Sequence, residues 1–587
     1  MKRAGAAAIL LLGALLLLPW GGPSTAEAGH LRIALSVRPT SFEPLHAIYT
    51  VNQARFRQVY ETLVEPDYRS SELRFRGLLA ESWEASEDLR TWTFHLRPDA
   101  RFHDPGEPPL WPGGSRPVTA ADAAWCFLRL ADASISSVSW FALEDLIEGL
   151  DAFHDATREG RRPGVRDLPF GDPGLQVPGL EVLDEQTLRI HLVRGGGDLL
   201  PRLASAFCVL YPWEAVARGD LKAVPVGSGP FQLELPGSSE VARFRRTPGW
   251  RGQEDLGETL PRIERLTLTW VAEGATRTGL FETGRLDRLV LEPDSLHRFL
   301  DGEVLHPRWQ EKGYRLQSSP WPSTSMFLFN LADPVLGEFP GDPEGNRRRR
   351  ALREAVARAF PYGRWQSIVR LGSMAVPARS FLPPVLPEAR GAPAAPWRSR
   401  DLGEVARLLE EAGYPGGEGL PVLHIDLGSQ GSLARRSAEV LRQGFREAGI
   451  PVEVRLHDFQ GQQERIARGE AQIFDRGWHF DWADASNLLA TFTGGQAFGG
   501  SNRANFVDAE YDRLFAEYLR RPPGPARTRL AHRMLEILHE RIPGIPVDHS
   551  RVWFVLSPRV QGVAPHAFDP YAFKYYRLQA PAAAAGE

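Results

Sequence analysis

Leu79-Ala80-Glu81-Ser82-Trp83-Glu84, followed by Trp92-Thr93-Phe94-His95-Leu96-Arg97-Pro98, is the stretch from which the fold class can be read. From Trp92 to Leu96 large apolar side chains alternate with polar ones, the period-two pattern of a strand with one buried face. Thr187-Leu188-Arg189-Ile190-His191-Leu192 repeats the alternation, and turn residues flank both runs. Between them, Thr119-Ala120-Ala121-Asp122 has the form of a capping box, in which the Thr hydroxyl and the Asp carboxylate each take an orphan backbone N–H at a helix start. Working outward, Leu31-Arg32-Ile33-Ala34-Leu35 predicts a strand and Asn52 to Val64 a helix. Farther on, helices are predicted over Arg349–Phe360, where Leu352, Ala355, Val356 and Ala359 form a stripe, and over Asp401–Ala412, closed by Gly413. Another starts at Asp508, with Tyr511, Leu514, Phe515 and Tyr518 on one face. Ala204–Tyr211 is an apolar run of strand length. Interleaved strands and helices predict an α/β or α+β architecture.

The chain has 587 residues, enough for about three or four domains at roughly 150 residues each. Lys+Arg number 69 and Asp+Glu 73, so no global basic field exists for nucleic acid, and 43% hydrophobic residues exclude a disordered chain. Lysine occurs only at Lys2, Lys222, Lys312 and Lys574, a bias toward arginine that carries no functional weight. Pro- and Gly-rich stretches at Pro105–Pro117, Pro163–Gly179, Pro340–Gly345 and Pro383–Pro396 are expected as loops on compact domains, and Ala580–Glu587 as a frayed tail. No repeat of 20 to 50 residues is found.

Lys2 and Arg3 precede an apolar run from Ala6 to Leu18, helix breakers follow, and Ala26-Glu27-Ala28 offers small residues at the two positions read by signal peptidase. The run is shorter than the roughly 20 apolar residues that span a bilayer, so cleavage after Ala28 and export are expected. Cleavage leaves 67 basic against 72 acidic residues, a balance of −5. The two cysteines, Cys126 in an apolar helical pattern and Cys208 in the apolar run, are compatible with a disulfide or with two separately buried thiols.

Standard catalytic motifs are missing: there is no Gly-x-Ser-x-Gly elbow, no Gly-Lys dipeptide for a P-loop and no Cys-x-x-Cys, and His539-Glu540 lacks a second histidine at zincin spacing. The richest cluster is Asp475-Arg476-Gly477-Trp478-His479-Phe480-Asp481-Trp482-Ala483-Asp484. His479, Asp481 and Asp484 are the right residue types for a metal, though without a second histidine. Alternatively Asp484 caps a helix beginning at Ala485 while the tryptophans fill core. In a third reading Asp481 holds a cationic group and Trp478 and Trp482 wall a pocket.

Ordered motifs over nearly the whole mature chain resemble the family 5 extracellular solute-binding proteins, the periplasmic receptors of peptide and related ABC importers. They run from Ser41-Phe42-Glu43-Pro44 and Val59-Tyr60-Glu61-Thr62-Leu63 through Leu79–Glu84, Trp92–Pro98, Phe102-His103-Asp104 and Val118–Asp122 to Pro225-Val226-Gly227-Ser228-Gly229-Pro230-Phe231. The later half adds Phe329-Asn330, Leu408–Tyr414, Gly477–Asp484, Asn502–Phe506 and Ile545-Pro546-Val547. Arg129-Leu130-Ala131-Asp132 and Gly477-Trp478 followed by Asp481 look most like the oligopeptide-binding branch.

The resemblance implies an α/β, two-lobed periplasmic binding protein (type II, cluster C) with an extra subdomain in the first lobe and a hinge between lobes. The implied division is a signal peptide over 1–28 and first-lobe segments 29–75 and 211–305 around an extra subdomain 76–210. A second lobe follows at 306–543, and 544–587 return to the first lobe and end in a tail. The crossings fall near Asp301–Ser325 and near Gly544. Asp481 would pair with a peptide's α-ammonium group. The backbones of Ile48-Tyr49-Thr50 and Gly477-Trp478-His479 would hold the peptide as an added strand, with Trp482 walling the pocket and Trp140 near the ligand or in the core. Pro361 after Phe360 departs from the acidic residue of many relatives, and His479 stands where some have a cysteine, so their disulfide cannot form. Implied partners are a peptide or other small solute and permease subunits of the inner membrane. A monomer is expected, with no cofactor, metal or nucleic acid and no enzymatic activity. The alternatives are a receptor for an opine, a sugar or a metal chelate, and an exported hydrolase acting through Asp481 and Asp484.

Overall fold

The structure, a computed structural model, describes residues 29–579 apart from 39–40, 47–49, 69, 71, 136, 220, 235–239, 252–253, 256–257, 562–565 and 570. The expected signal peptide, the Ala-rich tail, Ile48 and Tyr49 therefore lie outside the described residues.

Two large hydrophobic cores organise the chain. The first gathers Leu31, Ile33, Phe94, Phe127, Leu188 and Phe244 with the late residues Leu556, Phe573 and Tyr576. Its strand His30–Leu35 runs parallel to Arg265–Trp270 and to Arg288–Val290, and Val241–Arg246 and Phe231–Leu233 extend the sheet antiparallel. On this core sits a four-stranded antiparallel sheet of Ala80–Ala85, Thr91–Leu96, Thr187–His191 and Leu180–Val182. The alternation read from the sequence is realised there, since Trp92, Phe94 and Leu96 are buried while Thr91, Thr93 and His95 are half-buried. Thr119 caps the helix Ala120–Ala131 as expected, its hydroxyl accepting from Asp122 N and its own N–H reaching the Asp122 carboxylate at 2.9 Å.

The second core is built on Ser323–Phe329, Ile473–His479, Leu423–Leu427 and Val452–Leu456, covered by helices that include Pro343–Ala359, Leu402–Glu411, Ser432–Glu447, Ala509–Leu519 and Pro525–Arg541. One strand, Gly544–Leu556, belongs to both cores. Its first half pairs with Ser323–Phe329 and Ala375–Pro377, and its second half with Arg315–Pro320 and Arg288–Val290. Beside it the chain passes from Arg315–Pro320 into Ser323–Phe329, with only Trp321 and Pro322 between the two strands.

The motif acids of the first half hold this scaffold. Glu43 takes two bonds from the Arg129 guanidinium, at 2.8 and 3.0 Å, and the same guanidinium donates to the Tyr211 hydroxyl at 2.8 Å, all buried. Glu61 is clamped in the same bidentate way by Arg251, and Asp122 by Arg116.

Two expectations are corrected, and one alternative that the sequence left open is resolved. The helix predicted to Val64 spans Thr50–Val59, because Glu61 accepts from Leu210 N, Leu63 accepts from Leu78 N and Ala80 N, and Val64–Pro66 is a strand. Ala204–Tyr211 is no strand; it contains the turn Ala206–Cys208, and its β-type pairing among the described residues is the isolated bridge Glu61–Leu210. The apolar character that suggested a strand reflects burial on all sides. Cys126 and Cys208 are separate buried thiols, Cys126 Sγ lying 3.3 Å from Tyr211 O, and burial pushes the Cys208 thiol up to about 12.

Arg129→Met leaves the Glu43 carboxylate buried without its cation, and is expected to cost about 3–5 kcal/mol in urea unfolding, with Glu43→Gln added to it recovering much of the loss. A single-variant cost below about 1 kcal/mol would remove the pair from the scaffold.

Candidate functional site

The acidic and aromatic cluster begins on the strand Ile473–His479. Ile473 and Phe474 are buried and pair with Leu423–Leu427 on one side, but that pairing stops at Phe474. From Arg476 to His479 the strand is bonded to Ser323–Met326 only, so among the described strands its other edge is open. Beyond the strand, the buried Asn487 folds the loop back on itself. Its Oδ1 accepts from Trp478 Nε1 at 2.9 Å and from Asp481 N at 3.2 Å, and its Nδ2 donates to Asp481 Oδ2 at 3.4 Å.

This loop forms one wall of a cavity of 810 Å³ that draws its lining from both cores. Trp478, Asp481, Trp482 and Phe515 come from the second, and Phe141, Phe207, Arg194 and Arg202 from the first. The volume is in the range of small-molecule sites. Trp482 is the meeting point: its ring stacks on Phe141 with centroids 6.1 Å apart, and the Arg202 guanidinium lies 4.4 Å over it. Arg202 is held in place by Asp198, which is fully buried and also pairs with Arg194, at 2.8 and 2.7 Å. Next to this, Gly197 N donates to Leu519 O across the two cores at 3.0 Å. A Cβ on Gly197 would stand 2.2 Å from the Arg521 carbonyl oxygen, so only glycine admits this approach.

The charges of the cavity are unequal. Asp481 has no ion-pair partner among the described residues; burial pushes its carboxyl up to about 6, partly offset by the Asn487 bond. Asp484, three residues on, is buried and fully engaged. It accepts from Arg527 at 2.5 and 3.0 Å and from Ser486 N at 2.8 Å, at the start of the helix Ser486–Leu489. Among the described residues no group of three His, Cys, Asp or Glu side chains converges, so His479, Asp481 and Asp484 do not form a metal triplet. What the cavity can do is take a large, partly apolar molecule that presents a cation to Asp481.

Of the residues singled out from sequence, the structure brings Trp478, Asp481 and Trp482 to the cavity wall. Gly477 is exposed on the open edge. His479 faces a narrower crevice with Trp321, its ring stacked at 5.6 Å, and burial lowers its imidazole to about 4. Trp140 is core: it stacks on His154 at 4.8 Å, and its neighbour Phe141 is the aromatic that reaches the cavity. Thr50 opens the helix Thr50–Val59. Phe141, Phe207, Arg202 and Asn487 escaped the sequence reading. Ser139-Trp140-Phe141 lies in an irregular segment without periodicity, where two adjacent aromatics cannot be assigned to core and cleft.

Residues 74–500 match the family described as bacterial extracellular solute-binding proteins, family 5. The chain belongs to that family. It is 26% identical over 561 residues to heme-binding protein A of Haemophilus influenzae, covering 91% of this chain and 90% of that one. To the dipeptide-binding protein of Pseudomonas aeruginosa it is 24% identical over 578 residues, covering 94% and 96%. Among solved structures, HbpA2 from Haemophilus parasuis superposes with a TM-score of 0.73 at 20% identity, covering 94% of this chain and all of that one. The fold is therefore the two-lobed α/β fold of these binding proteins. Among the described residues no helix is long and apolar enough to cross a membrane.

An acid whose folded-state pKa is raised opposes folding once it ionises, so Asp481 subtracts stability as pH rises from about 4 through 6. Asp481→Asn is expected to melt roughly 1–3 °C higher than the parent at pH 8 and at the same temperature at pH 4, read by calorimetry of the ligand-free protein. A variant less stable than the parent at pH 8 would contradict the raised pKa.

Proposed function

We propose that this protein is the periplasmic capture component of an ABC importer that binds short peptides between its lobes, with Asp481 receiving the peptide's α-ammonium group. The observation that carries the reading is a lone, desolvated carboxylate on the wall of a cavity shared by both lobes, at the end of a strand whose edge is open. In a site closed from water, a charge-assisted ammonium–carboxylate bond is stronger than at a surface. The open edge at Gly477, Trp478 and His479 offers main-chain bonds that do not depend on the peptide's side chains. Trp482 walls the site against Phe141 and Arg202. Ile48 to Thr50 would supply the first lobe's backbone. The dipeptide-binding relative supports a peptide, and the heme-binding relative supports the second reading, a non-peptide solute.

In this proposal the chain is exported by its signal peptide and acts as a monomer. Its lobes close by hinge motion, and the closed form is what the permease recognises. The first lobe comprises 29–305 with the subdomain 76–210, the second lobe 306–543, and the chain returns after that. The shared pairing of Gly544–Leu556 favours the crossing itself at about Ser550. The relatives are binding proteins, in keeping with capture rather than turnover.

Mass spectrometry of small molecules released by denaturing the purified mature protein is expected to give a ladder of short peptides, whereas a single non-peptide species would sink the reading. Asp481→Ala should weaken free-amine peptides by at least about tenfold and N-acetylated ones hardly at all. Equal losses would remove the ammonium anchor.

A further inference from the structure

A second cavity, of 540 Å³, shares no lining residue with the cavity that holds Asp481. Its walls come from the helices Gly274–Glu282, Leu296–Phe299 and Pro307–Gln310, which pack on a small third core of Phe281, Leu296, Phe299, Leu305 and Trp309. A hairpin joins the last two helices, with Leu300 paired to Leu305 and Asp301 to Val304. Trp309 is buried and held on several sides. Its ring stacks on Phe299 at 4.9 Å, Tyr314 packs edge to face at 5.0 Å, and its Nε1 donates to the Arg298 carbonyl at 3.0 Å.

The side chains around this fixed indole are mostly basic. Arg298, Arg308 and Lys312 line the cavity with His297 and His306, against one carboxylate, Glu282. Arg298 occupies that carboxylate, its Nη2 donating to both oxygens at 2.8 Å. Arg308 ends on a neutral group, the Arg298 carbonyl, at 2.5 Å. Lys312 has neither a hydrogen bond nor an ion pair among the described residues, whereas the Lys574 ammonium is buried on Glu65 at 2.8 Å. Both free cations stand by the same indole, the Arg308 guanidinium 5.5 Å and the Lys312 ammonium 5.4 Å from the centre of the Trp309 ring. His306 adds a neutral donor: its Nδ1 accepts from Arg308 N at 3.3 Å, which leaves the proton of the uncharged ring on Nε2. Like charges gathered at one ring repel, and an anion between them would be attracted by both.

We propose that this cavity is a second binding site, which takes a phosphate group through Arg308, Lys312 and His306. A guanidinium fork, a point-charge ammonium and an imidazole N–H are three independent donors, which the several oxygens of a tetrahedral phosphate engage more fully than a flat carboxylate does. The cavity is larger than phosphate alone, so the phosphate belongs to a larger molecule, either the headgroup of an anionic phospholipid or a soluble phosphate ester. The site does not depend on what the cleft binds.

Calorimetric titration of the mature protein with inorganic phosphate, and its co-sedimentation with phosphatidylglycerol vesicles, test the site. Lys312→Gln and Arg308→Gln change exposed side chains and should melt within about 2 °C of the parent. Each is expected to weaken phosphate binding at least about fivefold, while Arg347→Gln, which removes the same charge from the helix Pro343–Ala359, leaves it unchanged. Vesicle capture that is lost in the same two variants identifies a lipid headgroup, with or without binding of free phosphate. Phosphate binding without vesicle capture identifies a soluble ester. No phosphate binding up to about 20 mM, together with no vesicle capture, overturns the site. An equal loss in Arg347→Gln also overturns it, because a diffuse surface field would then account for the binding.

Discussion

Everything about the cleft depends on one strand serving two cores. The thirteen residues of Gly544–Leu556 must satisfy their backbone groups in both lobes at once, because unpaired buried N–H and C=O groups are costly. The ladder therefore fixes the relative placement of the lobes along this strand, and bending is confined to where the ladder is interrupted. Two interruptions lie side by side. Trp321 and Pro322 separate the strands that pair with its two halves, and the register shifts between Ser325 and Met326. In the proposed closure, a hinge at these points would let one lobe swing while both sheets stay intact, with the cavity lined from both cores.

Carboxylates show how stability and binding are kept apart. Glu43, Glu61, Asp198 and Asp484 are buried and each meets at least one guanidinium, so their desolvation is offset locally and they hold the scaffold. Asp481 is the exception in the same loop as Asp484: among the described residues its only side-chain hydrogen bond is a long one from a neutral amide. Such a group lowers the stability of the unliganded protein, and under the proposed function what it gains is a strong interaction reserved for an incoming cation.

The sequence made the regular parts legible. Period-two alternation gave Thr91–Leu96 and Thr187–His191, and the capping box gave the start of Ala120–Ala131, because in each case local chemistry and the final environment agree. Ala204–Tyr211 misled for the opposite reason: a segment buried on all sides is apolar whatever its conformation, so composition could not distinguish strand from turn. The residue types themselves suggested Trp478 and Trp482 as pocket walls, and the family resemblance pointed to Asp481. It did not separate Trp140 from Phe141, since which of two adjacent aromatics faces a cleft is set by tertiary packing.

In the proposed function the consecutive residues Asp481 and Trp482 have different tasks, and their adjacency would couple capture to closure. A ligand favours the closed state only by interacting better with it than with the open one. Asp481 belongs to the second lobe alone, so an ammonium group bound there would not by itself distinguish the two states. Trp482 would supply the difference, because its ring stacks on Phe141 and lies under Arg202, both from the first core. With Arg202 pinned by the buried Asp198, the first lobe brings a preformed surface to that contact. The glycine at position 197 lets the two backbones come within hydrogen-bonding distance beside it. Under the proposed function, binding energy gathered at one lobe would thus be converted into preference for the closed form through the next residue in the chain.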